Sequence, residues 1–312
     1  MNKTAEHSLL IKNAAREAGF DIVAIAKAEE LDMPFVHYKE WIDKGYHGTM
    51  SYLTNNQEKR QDVRNILPQA ASVIVLGLSY QTPHSHINNS QEGKISRYAW
   101  GTDYHEILPE KLEAIVSAIH KINPESQSKY YVDTGPVLEK QWAVKSGLGW
   151  QGKHSNIISR EIGSWFFLGV IITTLECLPD EPIQDFCGSC TACLDACPTQ
   201  AIVQPYVVDG TKCLSYWTIE TKPDIEIPLS ISENQENWIF GCDICQEVCP
   251  WNKFEKLTSI SEFYPREHQT SLDLQAVLTM QQEEFSARFK KSPIKRTKLA
   301  GLQRNSRSLL SD

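Results

Sequence analysis

Apolar residues recur at helical spacing over residues 8–18 (Leu9, Leu10, Ala14, Ala15, Ala18) and stop at Gly19, which predicts an amphipathic helix. Asp21 to Ala26 then reads as a strand. Ser72 to Tyr80 is a nearly continuous apolar run, SVIVLGLSY, the pattern of a strand covered on both faces. Pro109 to Ile122 is helical by period, and Lys129 to Val132 is a third short strand. This alternation predicts an α/β core.

After Val132 the chain reads Asp133-Thr134-Gly135-Pro136, followed by helical composition from Val137 to Ser146 and a stop at Gly147. Thr134 or Gly135 is the expected cap, with Pro136 at an early helical position. Asp133 therefore falls at a strand end and before a helix start, where open α/β sheets hold ligands. His154 to Ser159 and Ser164 to Thr174 predict a hairpin around Arg160-Glu161-Ile162-Gly163. The proline-rich stretch from Leu178 to Ile183 marks a boundary. The expectation is an α/β (α+β) catalytic domain over residues 1–180, an embedded ferredoxin-like domain over 181–254, and a basic helical segment over 255–312.

Composition narrows the class. With 41% hydrophobic residues, the 312-residue chain can bury a substantial core. Its longest apolar stretch, Trp165 to Leu175, falls short of the roughly 20 residues of a membrane-spanning helix. The N-terminus has no signal-peptide pattern, so a cytoplasmic location without membrane association is the default. A net charge of −8 excludes a uniformly cationic nucleic-acid binder. One basic run stands out: Arg288, Lys290, Lys291, Lys295, Arg296, Lys298, Arg304 and Arg307, with no acid among them.

Cysteine placement changes the picture most. Eight of the nine cysteines lie between Cys187 and Cys249, a clustering that reads as metal rather than disulfide in a chain of this kind. Cys187, Cys190, Cys193 and Cys197-Pro198 reproduce the bacterial ferredoxin run. Cys213, Cys242, Cys245 and Cys249-Pro250 repeat it with an insertion after the first cysteine. In that run the fourth thiolate crosses to the other cluster, which assigns Cys187, Cys190, Cys193 and Cys249 to one [4Fe–4S] cubane and Cys197, Cys213, Cys242 and Cys245 to a second. Zinc ribbons fit the spacing poorly. No G-x-G-x-x-G follows a predicted strand and no P-loop is present, so the residues alone indicate an iron–sulfur reductase with an unidentified acceptor.

Four segments carry a resemblance to a known family. Arg97-Tyr98-Ala99-Trp100-Gly101-Thr102-Asp103-Tyr104-His105, Val132-Asp133-Thr134-Gly135-Pro136, Gly147-Leu148-Gly149-Trp150-Gln151-Gly152-Lys153 and the cysteine runs occur in this order. Together they resemble the epoxyqueuosine reductases, over about residues 8 to 305. The resemblance implies reduction of epoxyqueuosine to queuosine at the tRNA wobble position, with two [4Fe–4S] clusters and cobalamin as cofactors. It also implies an external low-potential electron donor and a tRNA anticodon stem-loop partner.

The same resemblance implies site residues. Asp133 would be the general acid, a carboxyl kept protonated by burial against the corrin; without the resemblance it reads as a turn or capping aspartate. Arg60, Ser96, Asp133, Lys140, Ile157, Leu168, Ser215, Lys222 and Pro223 would surround the cobalamin, with the Cys187 cluster beside the corrin. Arg97, Tyr104 and His105 would shape the nucleobase pocket, and Lys295 and Arg296 would meet tRNA phosphates. The rival expectations are another cobalamin-dependent reductase of the reductive-dehalogenase kind, and an electron-transfer subunit.

Overall fold

A computed structural model describes residues 2–86 and 89–311. Four strands build the main sheet: β1 Ile22–Lys27, β2 Ser72–Ser79, β3 Ser128–Tyr131 and β4 Phe166–Thr173. Their spatial order is β1-β2-β4-β3, and each neighbouring pair is antiparallel. The β2 run is apolar throughout because both of its faces are covered. Ile74, Leu76 and Leu78 pack with Ile11, Leu108, Leu112 and Ile115, which come from helices Lys3–Glu17 and Tyr104–Ile122. On the other face Val73 and Val75 pack with Trp142, Ala143 and Ile157.

The first helix ends as expected, with Gly19 taking φ +88, a left-handed conformation that glycine adopts without steric cost. Helix Tyr104–Ile122 starts ahead of the predicted Pro109 because Asp103 caps it, its Oδ1 accepting from the His105 backbone N–H at 3.0 Å. Two expectations fail. The helix after Asp133 begins only at Glu139, and neither Thr134 nor Gly135 caps it. Gly135 lies against the Tyr131 ring so closely that a Cβ would approach it to 2.1 Å, which holds this stretch in a turn. The predicted hairpin is also absent: a single bridge joins Ser159 to Gly163, and the chains then diverge. Ile157–Ile158 pairs with Trp150–Gln151 instead, while β4 enters the main sheet between β2 and β3.

A second sheet sets Glu92–Ile95 between Trp238–Phe240, which is parallel to it, and Ser271–Asp273, which is antiparallel. It takes one strand from each of the three expected segments. Ile95, Trp100, Phe240, Leu272, Phe289 and Leu302 form its core. Among the described residues no helix is long and apolar enough to cross a membrane.

The C-terminal helix Lys298–Leu310 corrects the reading of the basic run. Arg304 is not at the surface; it is 1% exposed. Its guanidinium donates to the carbonyls of Trp217 (2.6 Å), Lys222 (2.8 Å) and Ile225 (3.1 Å) and to Thr221 Oγ1 (2.8 Å). Replacement by Leu would strand these acceptors, and each buried unmet acceptor costs about 1–3 kcal/mol. Arg304→Leu is therefore expected to lower stability by about 3 kcal/mol or more, read as a lower urea midpoint under anaerobic conditions. An unchanged midpoint would mean that water satisfies those carbonyls.

Candidate active site

Beyond the end of β3 lies a cavity of about 1250 Å³. Pockets for drug-sized ligands occupy about 300–1,000 Å³, so this one suits a larger guest. Its wall comes from distant parts of the chain, including Tyr52, Arg60, Asp133, Lys140, Cys213, Ser215 and Arg296. Trp41, Met50, Val137 and Leu138 give it an apolar flank, while Asn55, Gln151, Ser155 and Gln204 supply hydrogen-bonding groups. A broad void with one apolar flank and scattered amides suits a corrin ring with amide side arms.

Asp133 stands at this cavity in a left-handed conformation, φ +58, which is strained for a residue with a Cβ. Two hydrogen bonds hold it. Tyr104 Oη donates to Asp133 Oδ2 at 3.1 Å, and the Asp133 backbone N–H donates to Glu139 Oε1 at 2.8 Å. Tyr104 is fixed in turn by stacking on Phe167, with ring centroids 4.2 Å apart. Burial, then the Asp133 charge, drives the Tyr104 phenol far up, so it remains a proton-bearing donor. Burial, reinforced by the Asp133 charge, pushes Glu139 up to about 8.

The other expected residues divide. Arg60 borders the cavity, but its guanidinium is engaged by the carbonyls of Asn55 and Tyr52, both at 3.2 Å, and so braces the wall. Lys140, exposed at the cavity wall, donates to Asn156 Oδ1 at 2.9 Å. Ser215 lines the cavity; Ile157 and Leu168 lie behind it in the core that includes Val137 and Leu138.

Ser96, Lys222 and Pro223 do not line the cavity. Ser96 is buried and bonds to Asp243 Oδ1, whereas Lys222 gives its carbonyl to Arg304 and Pro223 approaches Gly301 in the C-terminal helix. Arg97 is likewise turned away, stacked over Trp100 at 4.9 Å and bonded to the His84 carbonyl at 2.9 Å. His105 stacks on Tyr104 and pairs with Asp103 Oδ1 at 2.7 Å. Burial opposes its charged form, but Asp103 outweighs burial and the ring's pKa is raised.

Lys295 is exposed outside the cavity, whereas Arg296 borders it in a two-point pair with Glu220, both contacts at 2.8 Å. Tyr52, Glu139 and Glu220 were not anticipated. Tyr52 and Glu220 meet across 168 residues, a separation that leaves no local sequence signal.

Cys187, Cys190, Cys193 and Cys249 ring a cavity of about 80 Å³. Burial pushes the Cys193 thiol up to about 11, with Cys187, Cys249 and Cys190 adding to the effect as near neighbours. Burial likewise pushes up the Cys213, Cys242 and Cys245 thiols, with Cys197 among the neighbours that add to the effect on Cys213 and Cys245. Among the described residues no three ligands converge on a single ion. Thiols spaced around a void instead suit a cubane, in which each thiolate bonds a different iron.

The order of the two sets reverses the expectation. Cys213 borders the large cavity, so the second set is the inner one; the Cys187 set lies further out, with Cys190 exposed. Lone Cys177 is buried and apart.

Full anaerobic reconstitution is expected to give about eight irons per chain; bound zinc would refute the assignment. Because the raised Glu139 pKa penalises the ionised carboxylate in the folded state, stability is lost as pH rises from the unfolded value, 4.5, through about 8. Glu139→Gln, which keeps an acceptor for the Asp133 N–H, is therefore expected to raise Tm relative to the parent above about pH 8 and to lose that advantage below about pH 5. A pH-independent difference would show that Glu139 does not titrate in this range.

Comparison with known proteins agrees with these features. Residues 60–134 match the family described as "Epoxyqueuosine reductase QueG, DUF1730", and residues 186–252 match a "4Fe-4S double cluster binding domain". An epoxyqueuosine reductase from Leadbetterella byssophila is 46% identical over 301 residues, covering 96% of this chain and 97% of its own length. One from Synechocystis sp. is 45% identical over 289 residues, covering 92% and 99%. The crystal structure of an epoxyqueuosine reductase with an epoxyqueuosine-modified tRNA-Tyr stem loop superposes with a TM-score of 0.91 at 30% identity, covering 99% of this chain and 82% of that one. A Bacillus subtilis epoxyqueuosine reductase whose catalytic aspartate loop is swung out of the active site superposes equally well, TM-score 0.91 at 29% identity with the same coverage. With relatives this similar along nearly its whole length, the chain belongs to the epoxyqueuosine reductase family.

Proposed function

We propose that this chain reduces the epoxide of epoxyqueuosine in tRNA to the alkene of queuosine, with Asp133 as general acid. The change consumes two electrons and two protons and releases water. The observation that carries this reading is that Asp133 and the Cys213 thiol border one cavity large enough for cobalamin. Cobalamin bound there would supply a strongly reducing cobalt centre for the two-electron step.

The residues divide the remaining work. Asp133 is exposed at the cavity rather than buried as expected. It would therefore take up its proton once substrate and corrin cover it and deliver it to the epoxide oxygen as the C–O bond breaks, with Tyr104 keeping the carboxyl aimed. Lys140, Gln151 and Ser155 would hold amide side arms, with Arg60 and Ser215 maintaining the wall. Electrons from an external low-potential donor would enter at the exposed Cys187 set and leave by the inner Cys213 set. The tRNA backbone would lie over Lys295 and its neighbours, and the reaction would take place in the cytoplasm, where tRNA is found.

Asp133→Asn is expected to keep its clusters and bind cobalamin, yet lose turnover by about 10²-fold or more, measured as epoxyqueuosine remaining in digested tRNA. Unchanged turnover would remove Asp133 from the mechanism. Because Arg296 is committed to Glu220, the tRNA face is better tested at Lys295→Glu with Lys298→Glu. That pair is expected to weaken tRNA binding and to flatten its salt dependence by about one to two units of log–log slope. Unaltered affinity would place the tRNA elsewhere.

A further inference from the structure

The hairpin Trp150–Gln151/Ile157–Ile158 and its turn separate the large cavity from the outer thiol set: Gln151 and Ser155 border one, Lys153 and His154 the other. Nothing in the mechanism above uses the outer face. Lys153 is buried there, its Nζ donating to the carbonyls of Gly188 (2.6 Å) and Cys190 (2.8 Å) and so closing the loop that carries the first two thiols.

Two further donors on this wall lack acceptors. His154 is 4% exposed, and its Nδ1, 3.1 Å from the Asn156 backbone nitrogen, accepts that hydrogen. The neutral ring therefore carries its own hydrogen on Nε2, which is buried with no partner among the described residues. Burial and the Lys140 charge lower the ring's pKa to about 4, so it is neutral near pH 7. Trp150 is 1% exposed, and its Nε1 is likewise without a partner. Its indole packs in one cluster with Cys187 and Cys249, which places it beside the outer thiols.

An unpaired buried N–H is costly, and two beside one cage of thiols indicate acceptors that occupy the cage. Cubane sulfides and cysteinyl sulfurs are such acceptors, and hydrogen bonds to them favour the more negative, reduced state. We infer that His154 and Trp150 donate hydrogen bonds to sulfurs of the outer cluster and raise its reduction potential, making it the acceptor for the external donor. This inference rests on the cluster assignment given above. It adds a role for the Trp150-to-His154 segment in tuning electron entry.

The test is potentiometry monitored by EPR on the holoenzyme. In His154→Leu and in Trp150→Phe, one of the two cluster potentials is expected to move downward while the other stays fixed, with iron retained at about eight per chain. His154→Gln, which retains an N–H donor, is expected to recover part of the shift. Two unmoved potentials, or two that move equally, would overturn the inference.

A measurement on the unsubstituted protein guards against variants that load poorly. With histidine labelled by a heavy nitrogen isotope, a reduced cluster is expected to show a hyperfine coupling to a histidine nitrogen, and its absence would overturn the inference. Parent protein that binds no iron at all would instead overturn the cluster assignment, so the two failures are distinguishable.

Discussion

The fold is organised by the need to close two cages of thiols from one chain. Cys249 must return to Cys187, and Cys197 must join Cys213, Cys242 and Cys245, so the intervening chain is looped twice. Closing long loops costs entropy that iron–sulfur bonds can offset. Protein contacts prepare the closure. The strand Trp238–Phe240 brings the chain to Cys242 in register with Glu92–Ile95. Buried Asp243 then accepts from Ser96 Oγ and from the Arg97 backbone N–H. Ser96 and Arg97, expected to touch cofactor and substrate, instead anchor the turn that presents the inner thiols.

That anchoring helps bring the inner thiols to the cavity that Asp133 also borders. The chain after Cys213 runs through Ser215 into a short π-helical turn, Tyr216–Glu220, along the cavity wall, while β3 brings Asp133 to the same space from the main sheet. Tyr104, rooted on Phe167 of β4, reaches Asp133 from a third element. Asp133 is thus tied to the main sheet and, through Tyr104, to β4, although its own backbone is strained.

Much of this was legible in the sequence where the signal was local. Cysteine spacing carried the double-cluster signal, because ligand gaps of two residues are set by the geometry of one cubane. The long helices and β2 were visible by periodicity, since each buries one stripe or two faces. Long-range pairing was not visible. Ser164 to Thr174 had the composition of a hairpin arm, yet its partners are Ser72–Ser79 and Ser128–Tyr131, far away in sequence. The helix start after Asp133 was misjudged because Glu139 folds back to take the Asp133 N–H, a tertiary arrangement that capping preferences do not encode. Which cluster lies inside depended on the cavity itself, whose wall joins residues as distant as Tyr52 and Glu220.

The carbonyls gathered by Arg304 bear on biogenesis. They belong to Trp217, Lys222 and Ile225, 79 to 87 residues earlier in the chain. During synthesis every motif cysteine emerges before Arg304, so these carbonyls lack their buried donor until the last helix is made. Arrival of the final helix supplies that donor, so the wall beside the inner thiols is completed by the last element of the described chain.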